Sequence, residues 1–165
     1  MFTGKSIQVM NLKTGISFET KNAILKLKKK PPEKLDMIVK EIHHEVFEDV
    51  DCLACAGCCK QISPRINHYD LQRLSTAVRM RPSLFTEKYL EKDKDGDYVF
   101  KNQPCPFLDS QNYCSVYNDR PSACKDYPHT NRRRFHQVLD LSITNADICP
   151  AVSTILEKLV HVTDK

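Results

Sequence analysis

Eight cysteines are the residues of this chain with the clearest chemical potential. Four of them lie within eight residues, in the segment CLACAGCC: Cys52, Cys55, Cys58 and Cys59. The other four are widely spaced: Cys105, Cys114, Cys124 and Cys149. Gaps of two residues let thiolates converge on one centre, as in zinc knuckles and in the Cys-x-x-Cys-x-x-Cys runs of ferredoxins. The spacing predicts that all eight cysteines ligate metal, as zinc or as an iron-sulfur cluster.

The cysteine spacing also indicates how the eight ligands are divided between metal sites. Cys58 and Cys59 are adjacent, so we expect their side chains to diverge and to serve neighbouring sites rather than one tetrahedral ion. Eight thiolates would fill two four-ligand sites. Disulfides and simple burial of cysteine as an apolar residue are the alternatives. Neither explains four cysteines within eight residues.

The composition is that of a folded domain in a reducing compartment. Hydrophobic residues make up 41% and charged residues 28% of the 165 residues, which is typical of one globular domain. No stretch has the length and apolarity of a signal peptide or a membrane span. We therefore expect a cytoplasmic protein without a membrane partner.

The net positive charge of the sequence is explained by how the cysteines are counted. The formal net charge of +4 counts every cysteine as neutral, whereas metal-bound cysteines are thiolates. Two basic runs, at 26–30 and 132–134, lack the interleaved aromatic residues of a base-stacking surface. We expect them to be solvated, and we predict metal ions rather than nucleic acid as partners.

Common catalytic motifs are missing from the sequence. It contains no Gly-rich phosphate loop, no Gly-x-Ser-x-Gly elbow and no His-Glu-x-x-His pair. Any enzyme chemistry must therefore run through the cysteines, and no catalytic residue is assigned. The histidines are not needed as ligands, because eight thiolates suffice.

Helical periodicity predicts the elements that must position the cysteines. Apolar residues at helical spacing and proline stops predict helices at 23–30, 32–47, 67–80, 83–91 and from Pro150 onward, with a short hairpin around 93–100. Cys149 then lies at the N-terminus of the last helix, where the helix dipole favours a thiolate. The predicted fold is small, irregular and mainly α, with cysteine-rich loops organised around metal. We predict a helical extension at 1–48 and a cysteine-cluster domain at 49–165.

Three segments agree in order with a known family. CLACAGCC, CPFLD and CSVYNDRPSACKDYP resemble the bacterial cysteine-cluster family of zinc- or iron-chelating domains, over about 52–149. The resemblance implies a metal-binding module. One departure is Ala56, since many relatives carry Gly directly after the second cysteine. The family's similarity to the cysteine region of flagellin lysine N-methylase implies the alternative, an iron-sulfur oxidoreductase or methyltransferase-like enzyme, although no adenosylmethionine-binding pattern is recognisable.

Two polar residues are set apart from the cysteines. HYDLQRL at 68–74 resembles the family's helix after the cluster, which implies that Asp70 is a ligand or an active-site acid. Asn67, three positions earlier, favours the simpler interpretation that Asp70 caps its own helix. Arg120 is predicted to anchor its loop by pairing with an acid such as Asp119 or Asp126.

Overall fold

The computed structural model describes residues 13–164. In chain order its elements are α1 (Phe18–Lys29), α2 (Leu35–Asp49), α3 (Cys52–Cys55), α4 (Gly57–Gln61), α5 (His68–Ala77), α6 (Pro82–Tyr89), β1 (Leu90–Lys92), β2 (Tyr98–Phe100), α7 (Ser122–Asp126), α8 (Leu139–Ala146) and α9 (Pro150–Thr163), with 3₁₀ turns at Tyr117–Asp119 and Phe135–Val138. The predicted fold class, mainly α and irregular with a small antiparallel sheet, is confirmed. Across 13–164, no helix combines the length and apolarity needed to cross a bilayer.

The chain divides into two compact units. One contains residues 13–55 and 128–164 of the described chain, and the other contains residues 56–127. The division assigns Cys52, Cys55 and Cys149 to the first unit. The remaining five cysteines belong to the second unit, in which three separate segments supply them.

The first unit is built around helix packing. Apolar residues of α2 recur on one face at Leu35, Val39, Ile42 and Val46, and all four are buried. They share a core with Ile24 of α1 and with the apolar face of α9. α1 begins at Phe18, five residues before its predicted start, because Ser17 caps it by accepting a hydrogen bond from the Thr20 amide at 3.1 Å.

A helical segment between the cysteines was not predicted. The 3₁₀ turn and α8 carry Phe135 and Leu139, which are fully buried in the core of the first unit. The Asp36 carboxylate accepts hydrogen bonds from the amides of Arg134 at 2.7 Å and Phe135 at 2.9 Å. This long-range cap fixes the start of the helical segment. The sequence at 131–135 contains no local capping pattern that would predict this start.

The second unit has an aromatic core beneath a hairpin. The predicted hairpin is confirmed, with Leu90 paired to Phe100 and Lys92 to Tyr98. Its turn is held by the Asp93 side chain, which accepts from the amides of Asp95 and Asp97. α6 ends at Tyr89, two residues before the predicted end, because β1 begins at Leu90. The core of the unit contains Leu74, Phe85, Leu90, Phe100 and Phe107.

Candidate metal centre

Cys52 and Cys55 lie on one helical turn of the first unit. The Asp51 carboxylate starts α3 by accepting hydrogen bonds from the amides of Leu53 at 2.9 Å and Ala54 at 3.1 Å. Residues three apart on a helix lie on the same side. The turn therefore presents the first two predicted ligands together, with Cys52 exposed and Cys55 half-buried.

Cys149 occupies the predicted position at the start of the last helix. It is the N-cap residue of α9, with Pro150 in the first turn. The Cys149 amide donates to the Asn145 carbonyl at 2.7 Å, which ties it to the end of α8. Its side chain packs against the core of the first unit.

Cys58 and Cys59 are carried by α4 in the second unit. Ala56, the residue before this helix, has a left-handed backbone (φ 48°, ψ 22°). The predicted divergence of the two adjacent side chains is wrong, since their Sγ atoms are 4.0 Å apart. Two thiolates on one tetrahedral zinc lie about 3.8 Å apart, because each Zn–S bond is about 2.3 Å. The fold thus places these adjacent sulfurs close to the separation of two thiolates on one zinc ion.

Cys105 is placed by main-chain contacts and by the aromatic core. Its amide donates to the Cys59 carbonyl at 2.8 Å. Two residues later, Phe107 stacks on Phe85 with ring centroids 6.0 Å apart. The next residue, Leu108, forms a bridge with Cys114. The Cys-Pro-Phe-Leu segment therefore connects the backbones that carry Cys59 and Cys114.

Cys124 lies on the short helix α7, which a buried carboxylate anchors. Asp70 Oδ1 accepts hydrogen bonds from the Ser122 amide at 3.0 Å, the Ser122 hydroxyl at 2.9 Å and the Arg73 guanidinium at 2.8 Å. The predicted capping role of Asp70 is confirmed, because it forms a capping box with Asn67. Its contacts to Ser122 were not predicted, since nothing in local spacing indicates a partner 52 residues away. Arg73 lies three positions on in the same helix, at a spacing that does indicate a partner.

Arg120 anchors its loop, as predicted, but through a different partner. Its guanidinium donates to the Tyr117 carbonyl at 2.7 Å and lies 4.0 Å from the centre of the Tyr117 ring. An adjacent carbonyl and ring within one 3₁₀ turn supply this contact in place of the expected carboxylate. The positive charge also lowers the pKa values of Cys114 and Cys124, against the larger effect of burial.

The charge of Cys59 acts on three other thiols of the second unit, Cys105, Cys114 and Cys124. These four residues are called here the thiol cluster. A hydrogen bond from Cys58 lowers the pKa of Cys59 to about 7, with help from Lys60 and against burial. Burial raises the pKa of Cys105 to about 11, and the charges of Cys59 and Cys114 add to this shift. Burial raises the pKa of Cys124 to about 12, and the charges of the other three cluster thiols add to it. Burial, then the charge of Cys59, likewise raises the pKa of Cys114.

The thiol cluster supplies the donor atoms of a metal site, but its sulfurs do not converge on one point. Four sulfur donors suit zinc or iron, and none of the eight cysteines in the described chain is in a disulfide. Within 13–164, however, no three His, Cys, Asp or Glu side chains are grouped as metal ligands. Rotation about one side-chain bond moves each cysteine sulfur, so the grouping of the four sulfurs depends on the rotamer that each thiol adopts.

Comparison with known proteins agrees with the chemistry of the cysteines. Residues 51–149 match the CxxCxxCC family, described as "Putative zinc- or iron-chelating domain". The match contains all eight cysteines and covers more than half of the chain. Neither the curated proteins nor the solved structures gave a significant match. The chain therefore belongs to the CxxCxxCC family, and metal ions are its ligands.

Proposed function

We propose that this protein is a metal-binding module in which the thiol cluster holds a structural zinc ion. The observation that supports this proposal is that Cys105, Cys114 and Cys124, whose pKa values are raised mainly by burial, are each raised further by the charge of Cys59 in the same unit. A bound cation would stabilise thiolates that otherwise repel one another in a partly buried site. Cys52, Cys55, Cys58 and Cys149 remain predicted ligands.

The surrounding segments support a structural role for the metal. Between Cys105 and Cys124 the regular structure consists of one isolated bridge, one 3₁₀ turn and the start of α7. The backbone hydrogen bonds within this segment belong to local turns and the single bridge, and none forms a continuous strand or long helix. Metal ligation at both of its ends would order it, so metal binding would also contribute to folding.

A reducing cytoplasm is part of the proposal. Thiols that bind metal must stay reduced, and none of the eight is in a disulfide within 13–164. We propose no nucleic-acid partner. In support, Lys28 of the first basic run forms an ion pair with Asp140.

An iron-sulfur centre is the alternative, with oxidoreductase or methyltransferase-like chemistry. The observation that favours it is the run of two-residue gaps through Cys52, Cys55 and Cys58.

Metal content, acid-labile sulfide and visible absorption of protein produced without air test the proposal. Zinc without sulfide or colour supports the structural module, whereas iron with matching sulfide and a brown chromophore supports the alternative. Cys124→Ser should lose the ion of the thiol cluster, while Cys52→Ser, the control for removing a cysteine, should keep it. A wild-type protein that retains neither metal, even after reconstitution under reducing conditions, would refute both proposals.

A further inference from the structure

We infer that Asp70 is a positioning residue of the metal centre, because its carboxylate holds the segment that leads to Cys124 against helix α5. The inference rests on the proposed function, since it assumes that Cys124 binds metal. Asp70 itself is not proposed to bind the metal.

The Asp70 carboxylate is fully buried, with an exposed fraction of 0%. Its Oδ1 atom accepts three hydrogen bonds, two from Ser122 and one from Arg73, all of 2.8 to 3.0 Å. Its Oδ2 atom accepts from the Asn67 amide at 3.3 Å. A buried carboxylate is unfavourable unless such donors stabilise its charge. Although burial raises its pKa, the bonds from Ser122, Asn67 and Arg73 keep the pKa of Asp70 below its usual value.

Capping of α5 explains only part of this arrangement. A capping box is local, and it requires the Asn67 and Asp70 groups of one helical turn. Two of the carboxylate's hydrogen bonds instead lead out of α5 to Ser122, 52 residues along the chain. These bonds connect two distant segments, which a capping residue has no need to do.

The contacted segment leads directly to a ligand. Ser122 is the first residue of α7, and Cys124 follows two residues later. Arg73, which donates to Asp70, also donates to the Arg120 carbonyl at 3.0 Å. Both residues that flank Pro121 are therefore bound to α5. That helix is itself fixed in the core by Leu74, which is fully buried.

A rigid helix thus sets the position of the backbone that carries Cys124. Groups that orient metal ligands without touching the metal commonly change metal affinity by about 10- to 100-fold when they are removed. Cys124 would otherwise depend on a helix of only five residues, Ser122–Asp126. The Asp70 contacts replace the packing that so short a helix lacks.

Two variants separate positioning from simple stability. Asp70→Asn removes the charge that binds Ser122 and Arg73. Asn67→Ala is the matched control, because it removes the other half of the same capping box but leaves the Asp70–Ser122 contacts in place. Ser122→Ala removes one of the two Ser122 hydrogen bonds and is the milder test if Asp70→Asn fails to fold.

The experiment titrates the full metal-free chain with Co²⁺ and measures its dissociation constant by chelator competition together with its thiolate charge-transfer and ligand-field spectrum. We expect Asp70→Asn to weaken Co²⁺ binding by about 10-fold or more and to alter the spectrum, with a smaller loss for Ser122→Ala. Asn67→Ala should lose stability in urea but keep both the affinity, within about 2-fold, and the spectrum.

The outcomes distinguish this inference from the proposed function. If wild type binds Co²⁺ and Asp70→Asn and Ser122→Ala match it in affinity and spectrum, the positioning role is wrong while the metal site stands. Equal losses in Asp70→Asn and Asn67→Ala would also overturn it, because general stability would then explain both. If wild type binds no Co²⁺, the proposed function fails, and the inference fails with it.

Discussion

Cys59 differs from the other thiols of its cluster in a way that metal binding should reveal. Its pKa of about 7 makes it largely a thiolate just above neutral pH. Cys105 and Cys124, with pKa values of about 11 and 12, stay protonated there, as does Cys114 with its raised pKa. Cys59 can therefore bind a cation without first losing a proton, whereas the other three thiols must lose protons as the ion binds.

This difference predicts a steep pH dependence of metal affinity. Near pH 8, zinc binding should release about three protons, so the apparent affinity should rise about 1000-fold per pH unit. Below pH 7, Cys59 is also protonated, and the slope should approach about four protons. Chelator competition between pH 6 and 9, corrected for protonation of the chelator, measures the slope. A slope near one would show that the three half-buried thiols, Cys105, Cys114 and Cys124, do not ligate the ion.

At the scale of the element, the backbone conformation of Ala56 determines how helix α4 begins. Its left-handed backbone precedes α4, which carries Cys58 and Cys59. The family resemblance places glycine in many relatives directly after the second cysteine, which is this position. Glycine adopts a left-handed backbone without strain. Alanine in place of glycine at position 56 therefore keeps the same turn, although the backbone conformation is one that glycine would favour.

Substitutions at Ala56 test this account of α4. Ala56→Gly should change the free energy of unfolding by less than about 1 kcal/mol, because relief of the left-handed backbone is offset by loss of a buried methyl group. Ala56→Val should destabilise by about 2 kcal/mol or more, because a β-branched residue is strained at this φ. Urea unfolding measures both. Ala77→Val, in the right-handed helix α5, is the control, and an equal loss there would contradict the account.

At the scale of the whole molecule, the helical extension proposed at residues 1–48 stays a prediction. α1 and α2 belong to that extension, and their buried residues Ile24 and Val39 share one core with Leu156 of α9. Asp36 of α2 also caps the turn at Phe135. These contacts make the extension part of the packing of the first unit.

Truncation decides whether the extension is separable. We expect a chain of residues 49–165 to lose cooperative thermal unfolding, because the apolar face of α9 would be exposed to water. A chain that lacks only residues 1–12 controls for shortening itself. Circular dichroism during heating measures the transition. A truncated chain that melts as cooperatively as the full chain would establish residues 1–48 as a separate extension.

The sequence by itself determined the local features of this protein. Cysteine type and spacing indicated metal binding and the family, since these need only the order of residues. Periodicity and caps predicted α2, α5, α9 and the hairpin, because a helix face or a tight turn is set by residues a few positions apart. α1 begins before its predicted start because Ser17 caps it at Phe18.

Tertiary structure alone decided which distant groups meet. α8 and its preceding turn depend on Asp36, about 100 residues away in sequence, and Cys124 depends on Asp70. The membership of the thiol cluster and the close approach of Cys58 and Cys59 likewise had no signal in spacing. Such contacts join segments with no fixed separation along the chain. Their partners are selected by packing and by the need to satisfy buried polar groups, which only the folded chain reveals.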